Sequence, residues 1–125
     1  MQYLWVGIGG FLGANARYVA GRFIHAHLGT AFPWGTGIVN VTGAFLIGML
    51  FTFLTDRVVA DPMWRQLVIV GFLGGYTTFS SYTWEAVGLI QDGRWLPALG
   101  YVLGSNLLGL LACFGGIWAM RTMGL

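Results

Sequence analysis

Apolar residues run almost without interruption through four stretches of the chain, at about 3–24, 34–55, 64–90 and 95–120, joined by short polar connections. Each approaches or exceeds the roughly 20 residues that carry a helix across the hydrocarbon layer of a bilayer. Pro33 and Pro62 stand ahead of the second and third stretches, and Pro97 falls in the first turn of the fourth, where a missing N–H costs little. Asp61 can cap the third stretch, and Gln91-Asp92-Gly93-Arg94 reads as a tight polar turn. The pattern predicts an all-α integral membrane protein, residues 1–125 forming a single domain of four transmembrane helices. The connections leave no room for a separate soluble domain.

The third stretch departs from its own pattern. Its midpoint falls at Thr77, inside Gly-Gly-Tyr-Thr-Thr at 74–78, and Ser80, Ser81 and Thr83 follow directly. Each glycine lowers helix stability by roughly 1 kcal/mol relative to alanine. Backbone loosened at that depth must find partners for its freed N–H and C=O groups, because each unpaired group costs several kcal/mol in hydrocarbon. The helix is therefore expected to be broken near 74–79 and to line a site or a pore there.

Composition sharpens this picture. The chain is 57% hydrophobic and 8% charged, a balance that excludes an ordinary soluble domain. Its net charge of +2, with no lysine, is too small to suggest a nucleic-acid partner. With four spans both termini share a side, which receives Arg57, Arg65 and Arg121, while Arg22 and Arg94 lie on the other with Arg17 near them. So even a split suits insertion in both orientations, and hence an antiparallel dimer about a two-fold axis in the membrane plane. Trp5, Trp34, Trp64, Trp95 and Trp118 fall near span ends as interfacial anchors. Cys113 reads as a packing thiol, and His25 and His27 as solvated loop residues without a metal-binding companion. Gly9 and Gly13 on the first stretch, and Gly100, Gly104, Ser105 and Gly109 on the fourth, form small-residue stripes for close helix packing. No Ser–His–acid arrangement, carboxylate pair or phosphate loop stands in a suitable context, so an enzyme is not expected.

The candidate chemistry lies inside the spans. Thr36 and Asn40 are four apart on the second stretch, with Gly43 and Ala44 a turn further on. Asn40 serves either as a tie between helices or as an amide donor to an anion. Tyr101 and Ser105 place two hydroxyls on one face of the fourth helix, and Ser80, Ser81, Thr83 and Glu85 can face the same groove. Arg17 and Glu85 are ionisable groups at or within the hydrocarbon, where each charge costs at least about 2.5 kcal/mol; they pair with each other, or Arg17 forms a positive vestibule for anions. Phe79 and Tyr82 turn aromatic rings to one side, and the electropositive edges of such rings can meet an anion. In an antiparallel pair the two breaks would meet at the axis, converging carbonyl oxygens that suit a small hard cation such as Na⁺.

Gly-Gly-Tyr-Thr-Thr-Phe-Ser at 74–80 resembles the signature of the Fluc (CrcB) fluoride channel family. The likeness extends through Gly-Ala-Asn-Ala-Arg-Tyr at 13–18, Pro-Trp-Gly-Thr-Gly-Ile-Val-Asn at 33–40, Gly-Ala-Phe-Leu-Ile-Gly at 43–48 and Asn-Leu-Leu-Gly at 106–109. The resemblance implies a dual-topology homodimer in the bacterial cytoplasmic (inner) membrane, with two fluoride pores and a central structural Na⁺, that lets cytoplasmic fluoride out passively. It further implies that main-chain carbonyls of Gly74 and Thr77 hold the Na⁺, that Asn40 and Phe79 line the pore, that Tyr101 and Ser105 belong to its polar track, and that Arg17 is the vestibule arginine. Tyr82 and Gly109 depart from the family pattern, which has phenylalanine at the first position and often a hydroxyl at the second. Two other functions compete. A proton-coupled exporter of the small multidrug type shares the size and charge balance but relies on an acid in its first helix, where this chain has Arg17. A purely structural membrane-assembly subunit leaves a broken third helix without a purpose.

Overall fold

The computed structural model describes residues 1–56 and 61–123, so Arg57, counted above for orientation, lies outside the described residues. Every regular element among them is helical: α1 (Gln2–Leu28), α2 (Trp34–Asp56), α3 (a π-wound stretch Arg65–Leu73 continued by one α turn, Gly74–Tyr76), α4 (Phe79–Gln91) and α5 (Trp95–Thr122). Only Thr77 and Thr78 separate α3 from α4. Asp61 accepts a hydrogen bond from the Met63 N–H at 2.9 Å and so caps the start of α3. Gly93, at φ 76°, makes the turn from α4 into α5, a left-handed conformation that glycine adopts without strain.

The rods run alternately up and down. Arg121 at the end of α5 pairs with Asp56 at the end of α2 at 3.2 Å, and at the opposite end Arg94 donates to the carbonyl of Ala31. Hence α2 and α5 are parallel, and they form the largest interface; α1 packs mainly on α3, and α4 on α5. Two helices, α2 and α5, are long and apolar enough to cross a membrane. The other two expected spans do not meet that measure among the described residues. Asn15, Arg17 and several glycines dilute α1, and the third rod is divided at Thr77–Thr78 into shorter pieces.

The interior is thin. The chain leaves 7852 Å² accessible, against about 6,600 Å² for a compact soluble chain of this mass. Leu107, Leu110, Leu111, Phe114 and Trp118 along α5 are all more than half exposed, as side chains solvated by lipid would be. Close backbone approach replaces much of the usual core. A Cβ on Gly48 would run into the carbonyl of Cys113, and one on Gly116 into that of Phe45, so α2 and α5 touch main chain to main chain. Gly9 and Gly13 likewise admit the carbonyls of Leu67 and Phe72.

Two expectations need correction. A methyl group added at Gly100, Gly104 or Gly109 would meet no heavy atom within 4 Å, so among the described residues of the single chain these three glycines admit no close helix approach; the close contacts of α5 fall a turn or more later, around Cys113 and Gly116. His25 and His27 belong to the last turn of α1, which runs to Leu28, and not to a loop; a helix continues past its apolar stretch where its carbonyls still find donors, here the Gly29 N–H on the His25 carbonyl at 2.9 Å.

Replacing Gly48 with valine should drive α2 from α5 and destabilise the chain by about 1–3 kcal/mol, whereas Gly100→Ala should leave the subunit fold unchanged. Thermal unfolding of the detergent-solubilised protein checks both, and equal midpoints for the two variants would contradict this packing.

Candidate functional site

Thr77 (φ −85°, ψ 157°) and Thr78 (φ −149°, ψ 117°) are extended, so the peptide groups around them cannot complete helical hydrogen bonds. Asn40 of α2 takes over part of that work. Its Nδ2 donates to the Thr78 carbonyl at 3.0 Å, and its Oδ1 accepts from the Thr78 N–H at 2.8 Å. Because one partner can only accept and the other only donate, the orientation of the carboxamide is fixed. Gly43, one turn along, makes room: a Cβ there would meet the Thr77 methyl.

The consequence for the neighbouring carbonyls is specific. A regular helix would pair the Gly74 carbonyl with the Thr78 N–H, which is spent on Asn40. It would pair the Thr77 carbonyl with the Ser81 N–H, which is spent on the Thr78 hydroxyl at 3.1 Å. Among the described residues neither carbonyl has another donor. Thr77 meanwhile donates both its N–H and its hydroxyl to the Leu73 carbonyl, at 3.1 and 3.0 Å. Two carbonyl oxygens are thus left without a donor where α3 ends.

The residues singled out in the sequence fall into open grooves that share borders. Asn40 and Phe79 line one of about 410 Å³ with Gly74, Thr77 and Thr78. Ser80, Ser81 and Glu85 line a second with Thr36 and Trp84. Arg17, Arg22 and His25 line a third, which Thr36 and Thr78 also border, so it adjoins both of the others. Ser105 lies apart, in an apolar groove beside Tyr101 and Thr42. Tyr101 is buried, 2% exposed; its hydroxyl donates to Glu85 at 3.5 Å. Thr83 is exposed and turns its hydroxyl back to the Phe79 carbonyl at 2.8 Å. The rings of Phe79 and Tyr82 lie 5.7 Å apart, and those of Tyr82 and Tyr101 5.2 Å. Phe79 is 79% exposed.

Among the described residues Arg17 and Glu85 make no ion pair; Arg17 instead donates Nε–H to the Gly75 carbonyl at 3.1 Å, anchoring the turn ahead of the extended pair. Arg17 also lines the groove shared with Arg22 and His25.

Sequence reasoning passed over three contributors. Thr42 donates to the Val39 carbonyl and therefore accepts from the Tyr76 hydroxyl, each at 3.0 Å, tying α2 to the end of α3. Asn106 donates to the Tyr82 hydroxyl at 3.0 Å. The π winding of Arg65–Leu73 is the third; such windings are rare and recur at functional sites. A polar residue facing another span was the available signal for the first two. Winding leaves no mark in composition.

Apolar spanning helices, a thin interior and polar groups gathered at an unwound segment together define a multi-pass membrane protein. The chain matches the family described as CrcB-like protein, Camphor Resistance (CrcB), over residues 4–117, and it belongs to that family. It is 48% identical over 122 residues to a "Fluoride-specific ion channel FluC" of Koribacter versatilis, covering 98% of this chain and 97% of the relative. A protein of the same name from Solibacter usitatus is 47% identical, with 97% and 100% covered. One from a Hydrogenobaculum species is 50% identical, with 89% and 90% covered.

Asn40→Ala removes both partners of Thr78, leaving an N–H and a C=O unmatched at about 1–3 kcal/mol each. A loss of about 2–4 kcal/mol in unfolding experiments is expected, and a loss below about 0.5 kcal/mol would show that the clamp contributes nothing.

Proposed function

We propose that the chain is a fluoride channel of the bacterial cytoplasmic membrane, built as an antiparallel homodimer with two pores and a Na⁺ at its centre. The names of its relatives supply the ion. The observation that carries the reading for this chain is the extended Thr77–Thr78 pair held by Asn40. It leaves unspent donors and acceptors along one segment, which a membrane tolerates only where they line a site or a cavity.

The donors serve the anion route. Arg17 and Arg22 give the outer groove a positive field that concentrates anions. From there the ion meets one free N–H of Asn40, the N-terminal end of α4 with its positive dipole, and the edges of Phe79 and Tyr82. Ser80 and Ser81 extend the hydroxyl donors along α4, while Ser105 on α5 stands in a separate groove. F⁻ is small and strongly hydrated, so successive modest donors can replace its water while holding it weakly enough to release it. Thr83 and Glu85 stand beside this route, the carboxyl being tied to Tyr101.

The acceptors fit a hard cation. Among the described residues the Gly74 and Thr77 carbonyls lack donors, and two copies related by an in-plane axis would bring four such oxygens together. These residues would hold Na⁺, which would supply the positive charge that compensates converging carbonyl dipoles. A second copy is required on other grounds too. The grooves are open on one side, and Phe79 is bare in the single chain. The exporter alternative loses support, since α1 has no acid and one of its two arginines, Arg17, is committed in part to Gly75.

The test is fluoride efflux from liposomes holding the purified chain. Rapid F⁻ release that needs no proton gradient is expected, and Phe79→Ile should reduce it at least about a hundredfold, with dimers still seen by cross-linking. Absence of release from the wild-type protein, or copies all inserted one way up, would overturn the proposal.

A further inference from the structure

The geometry points to Asn106 as a positioning residue that turns the Tyr82 hydroxyl into an additional donor for the permeating anion, an inference that rests on the channel reading. Asn106, on α5, donates from Nδ2 to the Val102 carbonyl at 2.7 Å and to the Tyr82 hydroxyl oxygen at 3.0 Å. The Val102 carbonyl can only accept, so it fixes which end of the carboxamide is the NH₂. The Tyr82 oxygen must then accept, and its own hydrogen is left free; among the described residues the phenol donates to no one. The ring that carries it neighbours both Phe79 and Tyr101, with centroids at 5.7 and 5.2 Å, so the free O–H belongs to the same aromatic group as Phe79.

Two physical consequences follow. A hydroxyl that accepts one hydrogen bond becomes a better donor in the next. An unspent O–H also costs free energy in a poorly hydrated setting until an acceptor arrives. A small anion passing the Phe79–Tyr82 pair is such an acceptor. At the place where the resemblance expects only a ring edge, this chain therefore offers a directed O–H, and Asn106 sets its direction. A bond that merely tied α4 to α5 would make different demands: losing it would weaken the fold and leave conduction alone.

The experiment compares F⁻ efflux and dimer cross-linking for the full chain and for Asn106→Leu, Tyr82→Phe and the double variant, each reconstituted in liposomes. Each single change should slow efflux about tenfold with cross-linking unaltered. The double variant should be no slower than either single one, because Asn106 acts only through the hydroxyl. Asn106→Gln, which keeps the two donors, should recover part of the rate. Should Asn106→Leu fail to assemble, the neutral Asn106→Ala takes its place, and the same loss is expected. Unchanged efflux in the Asn106 variants, or single losses that multiply in the double variant, would overturn the inference and leave the channel reading standing. A wild-type chain that passes no fluoride would overturn both.

Discussion

Asn40 binds Thr78 through both of that residue's main-chain groups, at 2.8 and 3.0 Å, and the arrangement around the extended pair depends on this contact. A side-chain amide carries the same donor and acceptor as a peptide group, so it can stand in for the hydrogen bonds an unwound backbone has given up. Once the Thr78 N–H is taken, the Gly74 carbonyl loses its helical donor. Thr78 then caps α4 with its hydroxyl, and in doing so takes the donor of Thr77. One side-chain contact thereby decides which two carbonyls are left over and where the new helix begins. Gly43 and Arg17 act in support, the first by giving Thr77 space and the second by holding the Gly75 carbonyl.

This local order demands an unusually close scaffold. Apolar burial between helices drives little association in lipid, where the surroundings are as apolar as the interior. The chain answers with glycine contacts that bring main chain against main chain, Gly48 and Gly116 between α2 and α5, Gly9 and Gly13 between α1 and α3. The same closeness fixes Asn40 opposite Thr78 to within hydrogen-bonding tolerance. Polar ties then finish the register: Thr42 with Tyr76, Tyr101 with Glu85, Asn106 with Tyr82. The exposed apolar flank of α5 is consistent with a protein whose solvent is largely hydrocarbon.

The grooves explain why a single copy cannot carry the proposed function by itself. The Arg17 groove shares Thr36 with the Ser80–Ser81 groove and Thr78 with the Asn40–Phe79 groove, so the three lie next to one another. Under the proposed function an enclosing wall would come from another molecule. An upside-down twin is the simplest source, since the same surface would serve both copies.

The amino-acid sequence by itself determined the helical, membrane-spanning class and the family, because long apolar stretches and the motif Gly-Gly-Tyr-Thr-Thr-Phe-Ser are local features that need no folding to be read. It also singled out Asn40 and Phe79, polar or aromatic groups at depths where lipid offers them nothing. It left open whether Asn40 ties helices or serves an ion, and the tertiary structure shows the tie, with one N–H to spare. Tertiary structure alone decided that Arg17 holds Gly75 and not Glu85, that the glycines around Cys113 carry the α5 contact while Gly100 and Gly104 do not, and that Asn106 meets Tyr82. The physical reason is common to all three: spacing along a helix says which residues share a face, but the partner across the gap depends on the rotation and offset of two rods, and those are set by the sum of every contact between them.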